Sequence, residues 1–189
     1  MITEAEIAYF ETYGFLQCKQ FLTVQEVGEL TERFDQAMRK ARDNAEEPEL
    51  AQDERGYSRI RQQVNSDDKM KIPFFDYDPD AFYWLLDDPR FEDYFSHLLG
   101  DDYFVGGSEG IIHAGGSAWH NDHNDDKHAD EFFSMRAHMY LDHLDSENGC
   151  LTAIPGSHHA GGYRERLKAN VRAANETGFQ SQFGHITFS

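Results

Sequence analysis

FFSMRAHMYLDHLDSENGCLTAI, residues 132–154, decides the fold. Met135, Ala137, Met139 and Leu141 fall at every second position, so an extended backbone puts all four on one side, with Arg136 and His138 facing the other way. The segment therefore reads as a strand with one apolar face. ENGC, residues 147–150, has the composition of a tight turn, and LTAI, residues 151–154, reads as a second short strand. Strand, turn and strand in this order predict an antiparallel sheet or barrel.

Working outward, PGSHHAGG at 155–162 reads as a loop, YRERLKANVRAAN at 163–175 as a helix, and FQSQFGHITFS at 179–189 alternates like a strand. Upstream, DYFVGGSEGIIHAGGSAWH at 102–120 breaks into short segments at paired glycines, again suiting strands. The first hundred residues read differently. Thr3 with Glu6 has capping-box spacing and Gly14 is a natural stop, predicting a helix over 4–13. GFLQCKQFL at 14–22 predicts a brief strand. Thr23 with Glu26 opens a longer helix in which Val27, Leu30, Phe34, Ala37 and Met38 share a buried face. ARDNAEEPELAQDERG at 41–56 reads as a mobile loop, with a further strand near Ser58 to Val64. Asp78 with Pro79, and Asp88 with Pro89, begin two more helices, the second ended by Gly100.

A chain of 189 residues, 39% hydrophobic and 14% aromatic, can build one sizeable domain, predicted here over 1–189. A net charge of −18 repels nucleic acid and anionic lipid, so neither is expected as a partner. No apolar run approaches a membrane span, and MITEAEIAYF lacks the basic start of a signal peptide, so the expected compartment is the cytoplasm. Cys18 and Cys150 form no CxxC motif and are expected as reduced core residues.

The chemistry concentrates in WHNDHNDDKHAD, residues 119–130. If the backbone is extended there, His120 and Asp122 point to one side and can reach one ion together. One imidazole and one carboxylate, joined by a second histidine, make the facial triad that holds Fe(II) with positions left open. Spacing alone leaves the commoner alternative standing, a structural histidine beside a surface aspartate.

The sequence resembles the phytanoyl-CoA dioxygenase family of Fe(II)/2-oxoglutarate oxygenases. The likeness is carried, in order, by the opening helix with YGFLQCKQFLTVQEV, by FVGGSEG, by WHND at 119–122, and by RAHMYLDHLDSENGCLTAIPGSHH. Trp119, His120, Asp122, Leu141, Asp142, Asn148, Gly149, Pro155, Gly156, Ser157 and His158 match the family's motifs. The resemblance implies a mainly β fold with flanking helices, built on a double-stranded β-helix of jelly-roll, cupin-like type. It implies His120 and Asp122 as metal ligands and catalytic residues, Fe(II) and 2-oxoglutarate as cofactors, and O2 with a small-molecule substrate as partners. A carboxylate at Asp122 favours hydroxylation over halogenation, because related halogenases put a small residue there.

The family's third ligand is a histidine well downstream of the aspartate, on a strand after a Gly-Asp turn, with an arginine beyond it for the distal carboxylate of 2-oxoglutarate. The sequence ends 67 residues after Asp122, and His185 has neither the turn before it nor an arginine after it. The expectation is that the last strands, with that arginine, lie beyond Ser189; His185 as a substitute ligand stays open. A non-catalytic scaffold, or a cupin-like Zn or Mn enzyme using His120, His123 or His185, are the alternatives. His123 and His128 read as solvated loop residues, His158 as a residue shaping its loop, His113 as core or pocket lining, and Trp119 as packing beside the metal.

Overall fold

The structure is a computed structural model that describes residues 1–43, 51–52, 58–59, 63–66, 69–113, 119, 134–159 and 186–187; at 51–66, 69, 113 and 186–187 it describes backbone only. The chain divides into two compact units. One comprises Met1–Lys19, Tyr94–Asp101 and Gly115–Ser189, the other Gln20–Asp93 and Asp102–Ala114.

The second of these holds most of the described core. Helix α1, Glu4–Tyr13, belongs to the first unit; α2, Val24–Asp43, opens the second. At the start of α2, Thr23 Oγ1 accepts from Glu26 N at 3.2 Å while Glu26 Oε2 accepts from Thr23 N at 2.7 Å, the reciprocal capping predicted from their spacing. The predicted face is buried at Leu30, Ala37 and Met38, extended by Ala41, with Val27 and Phe34 half-buried.

Strands β1 (Ala51–Gln52) and β2 (Ser58–Arg59) pair antiparallel. Strands β3 (Gln63–Ser66), β4 (Lys69–Ile72) and β5 (Gly110–His113) form an antiparallel sheet in the order β3-β4-β5. On β4, Met70 and Ile72 alternate with lysines and are fully buried, each contributing about 1.5–3 kcal/mol. Ile72 pairs with Gly110, where an added Cβ would lie 3.1–3.3 Å from Phe34, Ile72 and Phe74. A side chain there would have to push these neighbours by a few tenths of an ångström, so glycine suits the close approach of this sheet to α2.

Pro73 ends β4 and leads into α3, Phe74–Tyr77, whose Phe75 N donates to Ser108 Oγ at 2.8 Å. Asp78 caps α4, Pro79–Leu86, accepting from Ala81 N, and both its carboxylate oxygens take Arg33 Nη1 of α2 at 3.0 Å. Helix α5, Pro89–Leu99, begins at the predicted Asp88-Pro89 pair, and Gly100 follows at φ 96°.

Arg90 ties this unit together. Its guanidinium donates to Asp88, to Glu26 Oε1 at 2.6 Å and to the Phe21 carbonyl at 2.8 Å, and lies 5.4 Å from the Phe21 ring centroid. Hydrogen bonds from Arg90 hold the Glu26 carboxyl down at about 2, and hold that of Asp88 below its ordinary value. A depressed carboxylate stabilises the fold in full above the ordinary carboxylate range and loses that contribution as pH falls toward the folded value. Arg90→Ala is therefore expected to lower the melting temperature at neutral pH. Melting temperature measured from pH 7 to pH 2 should fall less steeply in the variant below pH 4.5 than in the wild type.

In the first unit, β6 (Thr152–Ala153) pairs antiparallel with β7 (Ile186–Thr187), with Thr152 opposite Thr187 and Ala153 opposite Ile186. β6 lies in LTAI, read as a short strand, and β7 in FQSQFGHITFS, read as one from its alternation.

Three expectations are corrected. First, GFLQCKQFL forms no strand: Lys19 and Gln20 make a turn with Gln20 at φ 57°, Phe15 packs edge-on against Tyr9, and the Phe21 carbonyl is taken by Arg90. Second, the described part of FFSMRAHMYLDHL, from Ser134, carries no strand ladder among the described residues. It keeps the alternation of an extended chain, since the His138 and Tyr140 rings lie on one side, 6.5 Å apart and nearly parallel. Third, helix exceeds strand among the described residues, whose strands are short and lie in three small sheets, so the mainly β double-stranded β-helix is not what they display. The segments 114–118, 120–133 and 160–185, read as site strand, loop and helix, lie outside the described residues; of 41–56, expected as a loop, 41–43 instead end α2, 51–52 form β1, and the rest lies outside the described residues.

Candidate functional site

His120 and Asp122 lie outside the described residues, as do His123, His128 and His185. Among the described residues no group of three or more His, Cys, Asp and Glu side chains could hold a metal ion. The proposed ligands belong to the His- and Asp-rich stretch 120–130, which lies outside the described residues. What the structure does describe is the set of segments on either side of that stretch.

On the amino-terminal side, β5 delivers the chain to Ala114, with His113 as its last residue. Before β5, Tyr103 donates to the Glu92 carboxylate, which pushes its phenol up to about 12, and Lys71 pairs with Glu109. Both contacts fix the ends of the glycine-paired segment FVGGSEG. Trp119 is half-buried.

On the carboxy-terminal side, Arg136 to Tyr140 are all exposed, Ala137 and Met139 of the expected apolar face included, while Met135 and Leu141 of that face are half-buried. Although Tyr140 is exposed as a whole, partial desolvation of its hydroxyl raises the phenol, and negative charge on the nearby Cys150 sulfur would add to the effect. Asp145 Oδ1 accepts from Glu147 N at 2.8 Å and Asn148 N at 3.2 Å, Cys150 N donates to the Asp145 carbonyl at 3.1 Å, and Gly149 takes φ 99°. This is the tight turn predicted at ENGC, and Asp145 is its organiser.

The Pro155–His159 loop closes onto the end of α1. Gly156 N donates to the Tyr13 carbonyl at 2.9 Å, His158 Nε2 to the Glu11 carbonyl at 3.0 Å and His159 Nε2 to the Thr12 carbonyl at 3.1 Å. A carbonyl only accepts, so both Nε2 atoms carry hydrogen. Three carbonyls that the helix leaves without partners at its last turn are thus met by one loop. The two imidazoles contact each other, 3.9 Å between centroids. His158 is the loop-shaping residue the sequence suggested. His159 was missed; its signal was the second histidine of PGSHH.

The cysteines are free, as expected, but not core: Cys18 is exposed and Cys150 half-buried. Although the residue is exposed as a whole, partial desolvation of its sulfur raises the Cys18 thiol, with a hydrogen bond from Tyr94 acting in the opposite sense.

Among the described residues no helix is long and apolar enough to cross a membrane. No curated relative and no solved structure matches the chain significantly. The family comparison is decisive by itself: the phytanoyl-CoA dioxygenase (PhyH) family model matches residues 10–181, from within α1 to beyond the Pro155–His159 loop. With its WHND, LD, NG and PGSH motifs inside that span, the chain belongs to the phytanoyl-CoA dioxygenase family, whose fold is of the cupin, jelly-roll type and whose members are Fe(II)/2-oxoglutarate oxygenases.

Proposed function

We propose that this protein is a non-haem Fe(II)/2-oxoglutarate dioxygenase that hydroxylates a small molecule, with residues 1–189 acting as one domain and His120 and Asp122 as metal ligands. The supporting observation is the family match over residues 10–181, which contains Trp119-His120-Asn121-Asp122 in the order and spacing of the family's ligand motif. The donor set is chemically apt: a neutral imidazole and a hard carboxylate suit Fe(II) and leave positions open for other ligands. Bound Fe(II) with 2-oxoglutarate and O2 supplies the oxidation, coupling decarboxylation to succinate with hydroxylation of substrate. The chain's task is to hold the ligands and shape a pocket around them. Asp122 occupies a position where a smaller residue would make room for halide, which favours hydroxylation. The net charge of −18 argues against nucleic acid as the substrate.

Anaerobic addition of Fe(II) and then 2-oxoglutarate is the direct test. A weak visible charge-transfer band is expected from the iron chelate. A folded chain that binds neither would instead be a scaffold, and preferential retention of Zn or Mn in metal analysis would point to cupin-like chemistry. The third ligand, a second nitrogen donor, is assigned by His185→Ala: loss of the band with retained fold makes His185 the ligand, and an unchanged band excludes it.

A further inference from the structure

We propose that Pro155–His159 is a strap that detaches as a unit from the carboxyl end of α1 while the core of the other unit stays folded. Its hydrogen bonds to α1 come from one backbone amide and two imidazoles, each on a backbone carbonyl of Glu11, Thr12 or Tyr13. His158 and His159 are exposed, as are Glu11, Thr12 and Tyr13, so water can replace every one of these bonds on release. No residue from Pro155 to His159 is buried; the nearest buried side chain is Ile154, just ahead of the strap, and the ladder of β6 with β7 precedes it.

The strap also has reason to move as one piece. Ser157 N donates to the Ile154 carbonyl and His159 N to the Gly156 carbonyl, so its turn survives release, and the contact between the two rings couples one imidazole to the other. Reattachment needs the seat at Gly14, where His158 Nδ1 lies 2.2 Å from the position a Cβ would occupy.

Amide hydrogen exchange of the full chain, read by NMR, tests this without any ligand. In the wild type the Gly156 amide should exchange at least about 100-fold faster than the amides of Ala37 and Met38 in α2, because local opening exposes it well before global unfolding. In His158→Ala/His159→Ala the Gly156 rate should rise roughly a further tenfold, with the α2 amides unchanged. Gly156 exchanging at the α2 rate in the wild type would overturn the strap, as would a Gly156 rate indifferent to loss of both imidazoles.

Discussion

Asp122→Ala is expected to abolish succinate formation from 2-oxoglutarate under the proposed function, a drop of more than about 100-fold, since changes merely adjacent to metal ligands already cost 10–100-fold. The reason is electrostatic as much as geometric. The carboxylate is the anionic donor of the proposed pair, and removing it leaves a neutral imidazole to hold a divalent cation in competition with water. Asp122→Asn keeps the size and removes the charge; it should lose nearly as much activity, and Asp122→Glu should recover part of it. Succinate should be measured alongside far-UV circular dichroism, so that a folding failure is recognised as such. Normal turnover by a folded Asp122→Ala variant would remove the ligand assignment altogether. The same assay on Asp130→Ala, which lies in the same acidic stretch outside the proposed pair, should stay near wild type and so separates a specific ligand from general acidity.

The helical part of the fold was legible because its signals are local. Thr3 with Glu6, Thr23 with Glu26, Asp78 with Pro79 and Asp88 with Pro89 each declare a helix start within four residues, and each start is where the structure has it. The strands were harder. LTAI and FQSQFGHITFS contain β6 and β7, but Lys69–Ile72 went unread: its alternation lasts four residues, its lysines hide it, and Pro73 follows at once. GFLQCKQFL shows the opposite case: its apolar residues suggest a strand, but the chain turns at Lys19–Gln20 and the Phe21 carbonyl is met by Arg90, sixty-nine positions further on, rather than by a neighbouring strand. A strand needs a neighbour, and no short window of sequence names it.

The same distinction runs through the candidate site. WHND could be recognised as a motif because ligand spacing is local, and the family match over residues 10–181 supports that recognition. The clasp of the Pro155–His159 loop on α1 could not be anticipated, since its partners lie 147 positions apart in the chain. The net charge gave no hint of it either, because the bonds run to backbone carbonyls that every residue possesses. His158 was legible through the family motif, and His159, sharing the same work, was not.

Gly14 is where these long-range and local demands meet, and Gly14→Val is expected to destabilise the chain by about 3 kcal/mol. Gly14 sits at φ 81°, closing α1 with its N–H on the Phe10 carbonyl at 2.7 Å. A β-branched residue in this left-handed conformation costs about 1–2 kcal/mol by itself. A side chain there also collides with His158, whose Nδ1 and Cγ lie 2.2 and 2.7 Å from the new Cβ. The imidazole can retreat only by surrendering its hydrogen bond to Glu11, worth about 1 kcal/mol, and by disturbing its contact with His159. At roughly 2–4 °C per kcal/mol for a chain of this size, the melting temperature should fall by about 9 °C. Gly14→Ala should lose less, because it avoids the β-branch. The decisive comparison is the cycle with His158→Ala. That substitution removes the colliding ring but not the backbone strain, so Gly14→Val should cost roughly 1 kcal/mol less in the His158→Ala background. Equal costs in both backgrounds would mean that His158 does not rest on Gly14, and the clasp on α1 would have to be abandoned with it.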